Sequence, residues 1–129
     1  MSAIGELPGE RYGHSAVVDS EGDDGEGFLY VFGGSNSISN HFFSNELFSF
    51  RFRTRCWAVV SPKVSGGEND VQQGRPSMSV APAAPKEEPV WPQGRHFHSA
   101  VVHHHRMIIC GGKSNGYMND VLAFDFRKL

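Results

Sequence analysis

The residues whose types could do chemistry are two His-Ser pairs, His14-Ser15 and His98-Ser99, the run His103-His104-His105, the acid-rich stretch Asp19 to Glu26, and the triplet Gly112-Lys113-Ser114. Each fails on spacing. A serine nucleophile needs a base within hydrogen-bond reach, and adjacent residues on an extended strand point to opposite faces. A phosphate-cradling loop ending in Gly-Lys-Ser needs a glycine five residues before its second one, where Met107 stands. A twelve-residue calcium loop begun at Asp19 needs its bidentate glutamate where Tyr30 stands. The three histidines could aim two imidazoles to one side of a turn, but no Cys or carboxylate is spaced to complete a tetrahedral site, so a polar turn is expected. No catalytic residue, metal ligand or cofactor is therefore expected.

The elements that would position these groups occur twice. Arg11-Tyr12-Gly13-His14-Ser15-Ala16-Val17-Val18 runs, after a polar gap, into Phe28-Leu29-Tyr30-Val31-Phe32-Gly33-Gly34; Arg95 to Val102 runs, after a shorter gap, into Met107-Ile108-Ile109-Cys110-Gly111-Gly112. Short apolar runs bounded by glycines and turn residues read as strands, and a Gly pair ends a strand where the chain must turn or two backbones approach. Asn45 to Phe52 and Cys56 to Val60 read as third and fourth strands after a turn at Arg53-Thr54-Arg55, so the first copy is a four-stranded meander. Met118 to Phe126 matches Ser44 to Phe52 in type, and the second copy stops before a fourth strand. Residues 1 to 10 read as an approach with a Pro8-Gly9 turn. Between the copies, residues 61–91 carry Pro62, Pro76, Pro82, Pro85 and Pro89 among Gly, Ser, Gln and Ala, too little apolar surface to offset ordering, and read as a flexible insert. The expected division is 1–60, 61–91 and 92–129.

Composition sets the class. The chain has 129 residues and a net charge of -2, which gives no basic footprint for nucleic acid or an anionic membrane, and no apolar run nears the ~18 residues of a helical span. Fifteen glycines, 12% aromatics and no sustained apolar residues at helical spacing lean towards an all-β fold of short strands. Two cysteines inside strand-like runs and no Asn-x-Ser/Thr acceptor favour a reducing setting, cytoplasmic or nuclear.

The doubled pattern resembles the kelch repeat. Copy one shows Arg11, His14-Ser15, Gly33-Gly34, Asn45-Glu46, Phe50 and Trp57; copy two shows Arg95, His98-Ser99, Gly111-Gly112, Asn119-Asp120 and Phe124. Departures are Phe for the usual Tyr at positions 50 and 124, Glu46 for Asp, and no second Trp. The resemblance implies two four-stranded antiparallel blades of a β-propeller, an incomplete ring with Trp57 and Phe50 as aromatic anchors. The His-Ser pairs are then expected to hydrogen-bond within or between blades.

A partner protein is the expected ligand, met by loops at one end of the blades. The candidate contact residues are Arg11, Asn36, His41, Arg95, Lys113, Asn115 and Tyr117, with a structural role weighed for both arginines. The expected function is a scaffold or adaptor. The alternative is a propeller-based enzyme, similar to copper oxidases or sugar isomerases. Two blades cannot close a ring, so further repeats in the same chain or in another chain are expected to complete it.

Overall fold

The computed structural model describes residues 2–21, 25–36, 42–60 and 91–129. Met1–Ser61 with Pro92–Leu129 form one compact unit, and of the second unit, Pro62–Trp91, only Trp91 is described. The rest of the expected insert, the tip of the connector after Asp19 and the candidate residue His41 lie outside the described residues.

Strand β1 spans Ile4–Gly5, β2 Ser15–Asp19, β3 Phe28–Phe32, β4 Leu47–Arg51 and β5 Cys56–Val59. From β2 to β5 the pairing is antiparallel between sequence neighbours, with Ser15 opposite Phe32, Phe32 opposite Leu47 and Phe50 opposite Trp57. The approach segment contributes a strand that the sequence did not suggest. β1 lies parallel to β5, and the Ile4 N–H donates to the Arg55 carbonyl at 3.1 Å, so the sheet is mixed and has five strands instead of four. The outer edge of β5 offers unpaired backbone groups, which β1 covers.

The second sheet is an antiparallel meander of β6 (Ser99–His103), β7 (Arg106–Cys110) and β8 (Val121–Asp125). It has three strands. A single 3-10 turn, Phe126–Lys128, follows β8, with the Asp125 side chain accepting from the Arg127 N–H. No α-helix occurs among the described residues, and the all-β expectation holds with open sheets.

The core lies between the two sheets. Alternation along β2 buries Ser15, Val17 and Asp19 and exposes Ala16 and Val18. Phe32 and Leu47 are fully buried on the first sheet, and Met107 and Ile109 on the second, each contributing roughly 1.5–3 kcal/mol by burial. Phe32 packs on Phe124 with centroids 5.3 Å apart, and Tyr30 stacks on Phe126 at 3.7 Å. Phe50 and Trp57 pack together on the first sheet at 5.0 Å.

Backbone hydrogen bonds lock the two copies together, two of them through Arg95. The Gly34 N–H donates to the Arg95 carbonyl at 2.8 Å, and the Arg95 N–H donates to the Ser44 carbonyl at 3.2 Å. Gly33 makes this approach possible: it has φ +73°, and a Cβ there would sit 2.6 Å from the Arg95 oxygen.

Candidate functional site

Both repeat arginines turn inward. The Arg95 side chain is fully buried, paired bidentately with Asp120 (Nη2 to Oδ2 2.9 Å), and donates from Nη1 to the Gly111 carbonyl at 3.0 Å and from Nε to the Gln93 carbonyl at 3.2 Å. Arg11 repeats the arrangement with Gly9, Gly33 and Glu46, and its guanidinium lies 4.7 Å from the centre of the Phe48 ring. In each copy the arginine ties its own glycine doublet to the acid of the next strand. The hydrogen bond from Arg95 holds the Asp120 carboxyl below the usual carboxylate range. Arg95 thus leaves the candidate contact surface, because no part of it faces solvent.

The His-Ser residues pair across copies. Ser15 Oγ lies 2.6 Å from His98 Nε2, 83 residues away, and both side chains are buried. That separation suits a nucleophile and base, but the orienting third group is absent among the described residues: His98 Nδ1 is buried without a partner. Burial, followed by the nearby charges of Arg95, His14 and His96, pushes the imidazole down to about 4. The pair is a neutral hydrogen bond that closes the seam between the sheets.

Beyond the start of β2 and the glycine doublets, the loops of the two copies converge. Isolated bridges link Tyr12 to Ser35 and His96 to Lys113, and the Phe97 N–H donates to the Gly13 carbonyl at 2.7 Å. Tyr12, Ser35, Phe43, His96, Lys113 and Asn115 line a cleft of about 360 Å³ there. An adjoining one of about 500 Å³ runs past Phe97, Lys113 and Tyr117. His96 is 8% exposed and sandwiched by aromatics, with ring centroids 4.7 Å from Phe43 and 4.4 Å from Phe97. Both its ring nitrogens lack a hydrogen-bond partner. Burial, helped by Lys113, lowers its pKa, so the neutral ring keeps one unused donor and one unused acceptor, both closed off from solvent. Lys113 Nζ sits 5.6 Å from the Tyr117 ring, and Tyr117 is 91% exposed.

A family model described as the KLHDC2/KLHL20/DRC7 Kelch-repeats domain matches residues 1–129. The chain belongs to the Kelch-repeat family. No curated protein matches it at a significant level. Kelch-repeat domains are generally protein-interaction modules.

Of the kelch residues expected to meet a partner, Lys113, Asn115 and Tyr117 share this end with its clefts. Arg11 is largely enclosed by its own blade, its side chain 10% exposed. Asn36 is exposed but lines none of the clefts described here, and His41 lies outside the described residues. Tyr12, His96 and Phe97 are the site residues that sequence reasoning missed. A signal was present: Phe97 occupies the repeat position of Gly13, and both have positive φ, +55° and +68°. A bulky side chain held there is uncommon and costs strain, which collects at functional sites.

The opposite end of the kelch blades holds the one group of three potential metal ligands among the described residues, Asp19, Glu21 and His105. His105 Nδ1 lies 3.3 Å from Asp19 and Nε2 lies 3.3 Å from Glu21. One ligand atom from each of the three lies within 4.8 Å of the others, so two carboxylates join the histidine turn where the sequence led us to expect none, and the imidazole bridges them. Burial, followed by the charge of Asp19, pushes the Tyr30 hydroxyl up to about 12. No helix of the described chain is long and apolar enough to cross a membrane.

Proposed function

We propose that this chain is a scaffold or adaptor module that binds a partner protein through the end of the blades carrying Tyr12, His96, Phe97, Lys113, Asn115 and Tyr117. The observation that supports this reading is the His96 imidazole: buried among aromatics at a cleft, with neither ring nitrogen bonded. A buried polar atom without a partner carries a desolvation cost, which a ligand's hydrogen bond removes on binding. The surrounding tyrosines, phenylalanines and lysine suit a polypeptide segment with apolar side chains and exposed carbonyls, since Tyr is enriched at hot spots and aromatic walls bury large areas. Arg11 and Arg95 serve this surface by fixing the glycine doublets from which its loops depart. Asn36, exposed beyond the glycine doublet of the first copy, is a further proposed contact, as is His41 by its place in the sequence.

A propeller-supported enzyme would need mutually oriented acid, base or metal-ligating groups at the loop end, and of the groups there the His96 ring has no hydrogen-bond partner to orient it. The three-ligand group lies at the other end, beyond Asp19 of β2. The partner is a protein, neither nucleic acid nor a lipid surface, in keeping with the acidic balance of the chain, and a cytoplasmic or nuclear setting is proposed with it.

The test is selection of peptide ligands for the chain from a random display library, followed by titration against His96→Phe, Lys113→Ala and Tyr117→Ala. Loss of at least tenfold in affinity in these variants, with His104→Ala at the far end unchanged, is expected. Ligands that bind all four variants like the wild type would place recognition elsewhere.

A further inference from the structure

The hairpin tips carry no part of the repeat pattern, and there the two copies differ. Asp19 closes β2 on the inward side of the strand, in step with Ser15 and Val17, and its side chain is 6% exposed. The residue at its place in the second copy is His103, so the repeat itself asks for no carboxylate. A carboxylate buried at a strand end is paired or coordinates a cation. Glu21, two residues on, has a side chain 65% exposed, and its N–H donates to Asp19 Oδ1 at 3.2 Å, which leaves Oδ2 directed at the second blade. His105 reaches across from the turn between β6 and β7, its carbonyl held by the Phe126 N–H at 2.9 Å.

The ligand atoms of these three side chains lie within 4.8 Å of one another. Three atoms so placed surround a point no more than about 2.8 Å from each, and zinc binds imidazole nitrogen and carboxylate oxygen at roughly 2.0–2.2 Å. Closing on an ion therefore asks each side chain to move by less than about 1 Å, and Glu21 and His105 are open enough to do so. The chemistry selects the same class of ion. One imidazole and two carboxylates, with a fourth position left to water, are a zinc-type ligand set, and two carboxylate charges match a divalent cation. Calcium takes about six to eight oxygens and magnesium holds an octahedral shell, neither of which this set supplies. Arg106, the next residue, turns its charge to Asp125 at 3.8 Å.

We propose that Asp19, Glu21 and His105 form a zinc-class site that ties the two blades together at their hairpin tips. Asp19 Oδ2, one Glu21 oxygen and one His105 ring nitrogen take the ion, and water completes its shell. Two ligands come from the first copy and the third from the second, so the ion joins Asp19 to a residue 86 positions further along the chain. The site exists only when both hairpins are in place, so its occupation stabilises the folded chain by mass action. His103 and His104 pack on each other, ring centroids 4.1 Å apart, and are not ligands.

Titration calorimetry of the untagged chain with zinc chloride is expected to show one ion per chain, and saturating zinc should raise the melting temperature by roughly 5 °C or more, reversed by EDTA. Calcium and magnesium should leave the melt unchanged. Glu21→Gln and His105→Ala should each weaken zinc binding at least about tenfold. Glu21 is exposed, so its variant keeps the fold even where Asp19→Asn does not, and circular dichroism checks this. The double variant His103→Ala with His104→Ala should bind zinc as the wild type does. A wild type that takes up no zinc overturns the proposal, as do Glu21→Gln and His105→Ala variants that bind like the wild type. Loss of binding in the double variant would assign the ion to the histidine run alone, and binding that leaves the melting temperature unchanged would refute a tie between blades.

Discussion

Acid should loosen the blade seam through His98. Burial in the folded chain lowers this imidazole from its ordinary 6.5 to about 4, and Arg95, His14 and His96 are the charges that face it. The unfolded chain therefore takes up a proton that the folded chain refuses. Stability is complete above about pH 6.5, falls as pH drops towards about 4, and is level below that as far as this group is concerned. Linkage over that interval gives a slope of about 1.4 kcal/mol per pH unit, hence a loss of about 2 kcal/mol by about pH 5 and about 3 kcal/mol by about pH 4 relative to neutral pH. Asp120 and Asp125 have pKa values below the usual carboxylate range, so their contributions are lost only at more acidic pH. Urea unfolding at a series of pH values and one protein concentration measures the loss. His98→Asn does not titrate, so its stability should lose about one proton's worth of slope; His96, also held neutral by burial, leaves a residual slope in the same direction. A level wild-type profile between about pH 7 and 5 would refute this account, and so would a His98→Asn slope equal to that of the wild type.

The two arginine brackets should differ in cost. Asp120→Ala leaves a fully buried guanidinium unpaired and is expected to cost about 2–3 kcal/mol, whereas Glu46→Ala, at a carboxylate 46% exposed, should cost at most about 1 kcal/mol in urea unfolding. Gly33→Ala and Gly111→Ala share the penalty of a left-handed residue, but only Gly33 faces the Arg95 oxygen. Its variant should be less stable than that of Gly111 by roughly 1–3 kcal/mol in thermal melts followed by circular dichroism. His104 and His105 form the two-residue turn between β6 and β7 with φ +46° and +57°, a geometry that Asn and Gly favour. His104→Asn is therefore expected to raise stability by up to about 1 kcal/mol, and a lower melting temperature would count against strain at that turn.

Much of the fold was legible because glycines and turn residues bracket short apolar runs. β3 begins and ends where Gly27 and Gly33-Gly34 bound the run Phe28–Phe32. β1 was illegible, since two residues carry no periodicity and its pairing with β5 spans some fifty positions of sequence. The sequence showed that His14-Ser15 and His98-Ser99 were no adjacent catalytic pairs. It could not show that Ser15 would find His98, because that bond exists only once one sheet is laid on another.

The same distinction separates scaffold from site. The shared arginines, the glycine doublets and the Ser15–His98 pair are used up inside blades and at the seam. Recognition is left to positions where the copies diverge at fixed backbone geometry. Gly13 and Phe97 make the case: both lie in the left-handed region, so the backbone demand is common, yet only the second copy places an aromatic ring there, 67% exposed and packed on His96. A repeat position that tolerates Gly but carries Phe is using strain to present a side chain. Phe97→Gly should therefore relieve backbone strain while stripping one wall from the His96 cleft, leaving the blade seam intact and weakening partner binding.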